Sequence, residues 1–172
     1  MKQGRVIWFT GLSAAGKSTL SAALFDRLSE LGHEVTNLDS DLIRREISKD
    51  LGFSREDRDA HVRRLGFLAA TLASEGATVL VSAMSPRRQT RDEVRAMCSE
   101  FTEVYVNAPL EVCERRDPKG LYKQARAGKV HDFVGVDIDY EPPLHPEVEC
   151  RTDLESVEEG LQKLLDYLLP AP

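Results

Sequence analysis

The chain has 172 residues, enough for one domain with a hydrophobic core of its own. Its 41% apolar and 30% charged residues are the balance of a folded, water-soluble chain, and a net charge of −6 excludes a surface built to attract nucleic acid or anionic membrane. Any anion it binds must therefore be held by a local cluster of positive groups. The first apolar run, Val6–Phe9, is too short for a signal peptide or a membrane span and reads as a strand. The segment Ser18–Leu31 places Leu20, Ala23, Leu24, Leu28 and Leu31 on one helical face, and Gly32 is its expected stop. Val35–Leu38 reads as a second strand, followed by a short helix over Leu42–Lys49. Ser54 and Asp57 resemble a capping box opening a helix that runs to Ser74, with Gly76 behind it and Val62, Leu65, Leu68, Ala69 and Leu72 as its buried stripe. Thr78–Ser82 and Val104–Val106 are further strands, separated by a polar helix over Arg88–Phe101 and followed by a short one over Leu110–Arg115. A fifth strand is expected at Glu147–Cys150, and Ser156–Leu169 is amphipathic through Val157, Leu161, Leu164, Leu165 and Leu168.

Strand and helix in alternation imply right-handed crossovers and a parallel α/β sheet of about five strands with helices on both faces, in a single domain over residues 1–172. One stretch, Asp117–Pro146, breaks the alternation. It carries Lys119, Lys123, Arg126 and Lys129 and then the rigid Pro142-Pro143. A loop this long inside a small domain is usually functional, and 117–139 is expected to be a mobile lid. Cys98, Cys113 and Cys150 have no metal-type spacing and read as reduced, packed thiols of a cytoplasmic protein.

The strongest chemical signal is Gly11-Leu12-Ser13-Ala14-Ala15-Gly16-Lys17-Ser18, followed by Thr19: G-x-x-x-x-G-K-[ST] between an apolar strand and a helix. Glycines let successive backbone N–H groups turn inward around a phosphate, and the helix that follows puts its positive dipole end under the same oxygens. Lys17 supplies a point charge to the β- and γ-phosphates of ATP, and the Ser18 hydroxyl is a ligand for Mg²⁺. The chain thus reads as a P-loop phosphotransferase. The second strand ends in Asp39-Ser40-Asp41, with Arg44 one turn on, at the sheet edge where parallel folds bind ligands. Asp39 and Asp41 compete for the catalytic position. Asp41 can hold the water shell of Mg²⁺, accept the proton of an attacking hydroxyl, or simply cap the following helix. The basic residues Arg44, Arg58, Arg63 and Arg64 lie near Phe53 and Phe67; arginine suits phosphate or sulfate, and an exposed ring can stack a base.

Several longer segments resemble the adenosine 5′-phosphosulfate (APS) kinase family: LDSDLIR (Leu38–Arg44), LGFSREDRDAHVRR (Leu51–Arg64), SAMSP (Ser82–Pro86), EVYVNAPLEVCERRDPKGLYKQARAG (Glu103–Gly128) and DYEPP (Asp139–Pro143). The resemblance implies a P-loop kinase fold in which Mg-ATP phosphorylates the ribose 3′-hydroxyl of APS. It puts Asp41 near that hydroxyl and gathers Asp39, Arg44, Arg58 and His61 around the acceptor. It also sandwiches an adenine between Phe53 and Phe133, borders the acceptor with Met84, and brings Lys119 over the phosphates. Ser85 matches the serine of the family's Ser-Pro motif, which implies a place in catalysis as a phosphoserine. In-line transfer needs no such stage, and a turn or helix cap explains the residue equally. The chain departs from the family pattern at Ser40, where glycine is usual, at His61, where asparagine is usual, and at Arg87, where an aromatic is common. A kinase for another nucleotide-like acceptor and a non-catalytic nucleotide-sensing domain are the alternative readings. The helix Ser54–Ser74 and the polar helix after Pro86 offer a surface for a homodimer.

Overall fold

The computed structural model describes residues 4–169. Strands β1 (Arg5–Thr10), β2 (Val35–Asp39), β3 (Thr78–Ser82), β4 (Phe101–Asn107) and β5 (Val148–Arg151) form one parallel sheet in the order β2-β3-β1-β4-β5. Ser82 lies opposite both Phe9 and Asp39, so the strand ends that carry β1 into the glycine loop and β2 into the acidic turn share one edge. Among the described residues the connections hold α1 (Lys17–Glu30), α2 (Ser40–Glu46), α3 (Arg55–Ser74), α4 (Arg88–Met97), α5 (Leu110–Arg116) and α6 (Leu121–Arg126), and α7 (Val157–Leu168) follows β5.

Alternation along β1 divides the core in two. Ile7 and Phe9 pack with Leu20, Leu24 and Leu28 of α1 and Leu164 and Leu168 of α7. Val6 and Trp8 face Val62, Leu65 and Ala69 of α3 and Val94 of α4. Each such side chain contributes about 1.5–3 kcal/mol on burial, which makes the two layers the main source of stability. Among the described residues no helix is long and apolar enough to cross a membrane.

The expected elements are present with shifted ends. The polar helix stops at Met97 rather than Phe101, because Cys98 turns extended and Phe101 pairs with β1 and packs its ring 6.2 Å from Trp8. Strand β4 is longer than its apolar stretch because Glu103 is neutralised in place: Arg91 Nε donates to it at 2.7 Å, and its backbone N–H donates to Glu147 at 2.6 Å. Leu31, expected on the buried stripe of α1, is exposed beyond the end of that helix. The box expected at Ser54 is half formed. The Ser54 hydroxyl accepts from the Asp57 N–H, while Asp57 reaches back to the Gly52 N–H instead. A complete capping box opens α7, between Ser156 and Glu159. Within 117–139 the short helix α6 was not expected from the sequence pattern.

Candidate active site

The glycine loop is shaped by backbone geometry that side chains would obstruct. A Cβ on Gly11 would lie 2.3 Å from the Val106 carbonyl oxygen, and Gly16 enters α1 at φ +105°. Ala14 is also left-handed, at φ +60°. Lys17 folds back over the loop, its Nζ donating to the carbonyls of Gly11 (3.0 Å) and Leu12 (2.7 Å). Burial pushes its ammonium down to about 8, against nearby charges that pull in both directions. Phosphate oxygens placed there restore the charged form, so nucleotide binding near pH 8 should take up a proton and weaken as pH rises through 8. Calorimetry of ADP binding in buffers of different ionisation enthalpy measures that uptake; no proton uptake would contradict the assignment.

Asp39, the last residue of β2, caps α2 by accepting the Leu42 N–H at 2.9 Å. This corrects the capping alternative for Asp41: α2 starts two residues earlier than expected, and Asp41 sits in its first turn with its carboxylate free of that duty. Its partner is Lys119, whose Nζ donates to Asp41 Oδ2 at 2.6 Å. Both side chains are well exposed, at 71% and 65%, so the pair adds little to stability and is readily exchanged for ligand contacts. Lys17, Ser18, Thr19, Asp39, Asp41, Met84 and Lys119 line one cavity of about 580 Å³, together with Ser13, Ala14 and Gly16 of the loop. Ser18 and Thr19 lie exposed on the first turn of α1. One hydroxyl and two nearby carboxylates form an all-oxygen donor set suited to Mg²⁺. Among the described residues no cluster of three or more acidic, His or Cys groups could cage an ion alone.

On the other side of Asp41, Arg44 and Arg58 lie 4.5 and 5.4 Å from the centre of the Phe53 ring, which is 57% exposed. Arg44 also donates to the Gly52 carbonyl. Arg58 donates to the carbonyls of Phe53 (3.0 Å) and Asp132 (2.7 Å), tying the loop before α3 to the residue preceding Phe133. Phe133 itself is only 5% exposed and packs edge-on against Tyr122 at 5.0 Å, so little of its face is open to a base. His61 is 4% exposed, with Nε2 3.0 Å from the Ser40 hydroxyl and Nδ1 3.0 Å from the Ser48 hydroxyl. Burial, with Arg44 and Arg64 nearby, pushes its imidazole down to about 4, despite a smaller opposing pull from Asp41. Both ring nitrogens are thus occupied within the protein.

Ser85 is buried at φ +41°. Its hydroxyl accepts from Trp8 Nε1 (3.0 Å) and donates to Thr10 Oγ1 (2.9 Å), which donates in turn to the Met84 carbonyl (2.8 Å). Ser85 does not cap α4: Arg87 holds the N-cap position, and the first N–H of the helix, on Arg88, donates to Glu141. Arg91 donates to the Ser85 and Glu141 carbonyls at 2.6 and 2.7 Å, and Tyr140 meets Thr10 at 2.9 Å, so the DYEPP strap is fixed to the floor of the site. Arg87 pairs with the buried Asp59 at 2.7 Å, away from the loop residues.

Two residues of this cavity escaped the sequence reading. Arg116 donates to the carbonyls of Ala14 (3.3 Å) and Thr152 (2.6 Å), and the Thr152 hydroxyl donates to the Ala15 carbonyl (2.6 Å). Thr152 lies immediately after β5, where strand-end geometry puts ligand contacts, and that rule applied to the fifth strand would have found it; Arg116 closes α5, where no local signal marks it. Arg116→Ala should raise the KM for ATP about tenfold through loss of charge-assisted bonds that brace the loop, with the acceptor KM little changed. An unchanged ATP KM in steady-state assays would contradict this role.

A parallel sheet with a phosphate loop after its central strand, an acidic turn after the edge strand β2 and a basic segment across the mouth defines a P-loop kinase, a phosphotransferase. The adenylylsulphate kinase family model matches residues 3–151, and the chain belongs to that family. Adenylyl-sulfate kinases of Rippkaea orientalis and Gloeothece citriformis are each 56% identical to it, over 167 and 169 residues, covering 97% and 98% of this chain and 92% and 96% of theirs. The structure of the Mycobacterium tuberculosis APS kinase CysC in complex with AMPPNP and APS superposes with a TM-score of 0.93 at 41% identity, covering 98% of this chain and 99% of that one.

Proposed function

We propose that this chain carries out the reaction of its family, transfer of the γ-phosphoryl group of ATP to the ribose 3′-hydroxyl of APS, with Asp41 orienting that hydroxyl and Lys119 exchanging partners as the substrates bind. The observation that carries this reading is the Lys119–Asp41 contact across the mouth of the cavity that Lys17 and Ser18 also line. Phosphoryl transfer proceeds through a loose transition state, so the protein's work is alignment and charge neutralisation. Lys17 gives up its carbonyl contacts to reach the β,γ-oxygens. The Ser18 hydroxyl would hold Mg²⁺, which would neutralise the same oxygens. Asp41 accepts the hydroxyl's hydrogen bond in line with the γ-phosphorus and takes its proton as the bond forms; ADP leaves. Arg44 and Arg58 receive the phosphosulfate, and the exposed Phe53 ring takes the adenine with Phe133 at its margin.

Residues 117–139 act as the lid, bringing Lys119 over the phosphates and excluding water that would compete for the γ-phosphoryl group. Ser85 serves as a brace under the site, because its hydroxyl is buried and committed to Trp8 and Thr10. A second copy docks on α3, whose Phe67 is exposed, and the three free thiols, two of them buried, fit a cytoplasmic protein. The reaction is tested by coupled ADP release with APS set against a panel of other nucleotides and sugars, and by identifying the 3′-phosphorylated product. Equal turnover with an acceptor lacking the phosphosulfate would sink the assignment of APS.

A further inference from the structure

Helix α2 carries Asp41 and Arg44, yet little of its own sequence holds it in place. Seven residues are too few for a stable isolated helix. None of them is buried; Leu42 is exposed, and Ile43 alone packs against the core, half-buried. Polar tethers must therefore set its pose. Asp39 caps its first turn, and Arg64 donates to the Ile47 carbonyl just past its last at 3.1 Å. Arg44 reaches the Gly52 carbonyl and Asp41 pairs with Lys119, while the buried tethers converge on one side chain of α3. His61 meets Ser40, the first residue of α2, through Nε2, and Ser48, two residues beyond its end, through Nδ1, each at 3.0 Å. Ser48 is fully buried and His61 nearly so, which shields both bonds from water. A serine hydroxyl both donates and accepts, so the two contacts survive in either imidazole tautomer.

We propose that His61 is a positioning residue that clamps α2 at both ends, through Ser40 and Ser48, and so fixes the direction in which Asp41 and Arg44 meet the acceptor. His61 spends both nitrogens inside the protein and touches the acceptor only through this helix. Ser40 and His61 therefore act as one unit, and the two departures from the family pattern are a single change. The inference rests on the acceptor-facing reading of Asp41.

Two substitutions separate the ends of the clamp. In His61→Asn the side-chain amide can occupy the place of Nδ1 and keep Ser48 while losing Ser40. In His61→Gln it can reach the place of Nε2 and keep Ser40. Ser40→Ala removes the same bond as His61→Asn. Ser40→Ala and His61→Asn should each raise the KM for APS about three- to tenfold, as expected for one shielded hydrogen bond, with the KM for ATP unchanged. The double variant should be no worse than either single one, and His61→Gln, which gives up Ser48 in place of Ser40, should raise the KM for APS by a similar factor. Amide hydrogen exchange of α2 should speed up in both single variants without nucleotide or acceptor present. Unchanged exchange in α2, an unchanged KM for APS, or additive losses in the double variant would each overturn the proposal. If exchange and KM respond as expected while Asp41→Asn keeps full turnover, the role of Asp41 fails and the clamp stands.

Discussion

Lys17→Met should lower kcat by at least about 10²-fold, with the KM for ATP raised and the KM for the acceptor little altered. The size follows from where the ammonium goes. In the free loop its hydrogen bonds end on two carbonyls of the loop itself, so removing it unmakes two contacts at 3.0 and 2.7 Å but leaves the glycine backbone to hold its own shape. The fold should survive, since Gly11, Ala14 and Gly16 set the curvature and Leu20, Leu24 and Leu28 anchor α1. Relief of a buried cation even favours the apo protein. In the ternary complex the same deletion leaves the developing charge on the β,γ-bridge without its closest mobile cation. A melting temperature at or above that of the parent, together with the loss of rate, would separate the two effects. A collapse in stability with rate retained would show that the lysine is structural.

Asp41→Asn is the second large effect, expected to reduce kcat by 10²- to 10⁴-fold, the range for a positioned general base. Because Asp39 supplies the helix cap, the substitution should leave α2 and the melting temperature essentially intact. The amide keeps a hydrogen-bond acceptor for the 3′-hydroxyl but cannot take its proton, and it no longer attracts Lys119. Binding of the acceptor should therefore persist while turnover is lost, which single-turnover measurements at saturating substrate would separate. Near-parent turnover would remove Asp41 from the chemistry and return attention to Asp39.

The fold was legible because the central strands β1, β3 and β4 carry apolar runs and the two longest helices, α1 and α3, carry periodic stripes followed by Gly32 and Gly76. It blurred where a charge sits in a strand, as Glu103 does, since only the partner Arg91 from another element makes that position tolerable. The phosphate loop was fully legible, because its chemistry is local: one contiguous segment does the work. The rest of the site is assembled from distant pieces. Nothing in the sequence near Arg116 announces that it braces the loop about a hundred residues earlier, and the spacing of Ser40, Ser48 and His61 conceals that they form one chain of hydrogen bonds. The helix start was misjudged by two residues because Asp39 and Asp41 are equally good caps on paper. Only the end of β2 decides between them.

The strap Asp139–Pro143 bears on how the neighbouring segment can travel. Tyr140 is joined to Thr10 at the foot of the glycine loop, Glu141 to the first amide of α4, and Arg91 to both Ser85 and Glu141. At the other end, Arg116 is joined to the loop's own carbonyls. The basic segment is thus a handle with both ends riveted to the rim it covers. A lid closure of the kind proposed above would be confined to an arc over that rim and would return Lys119 to the same place.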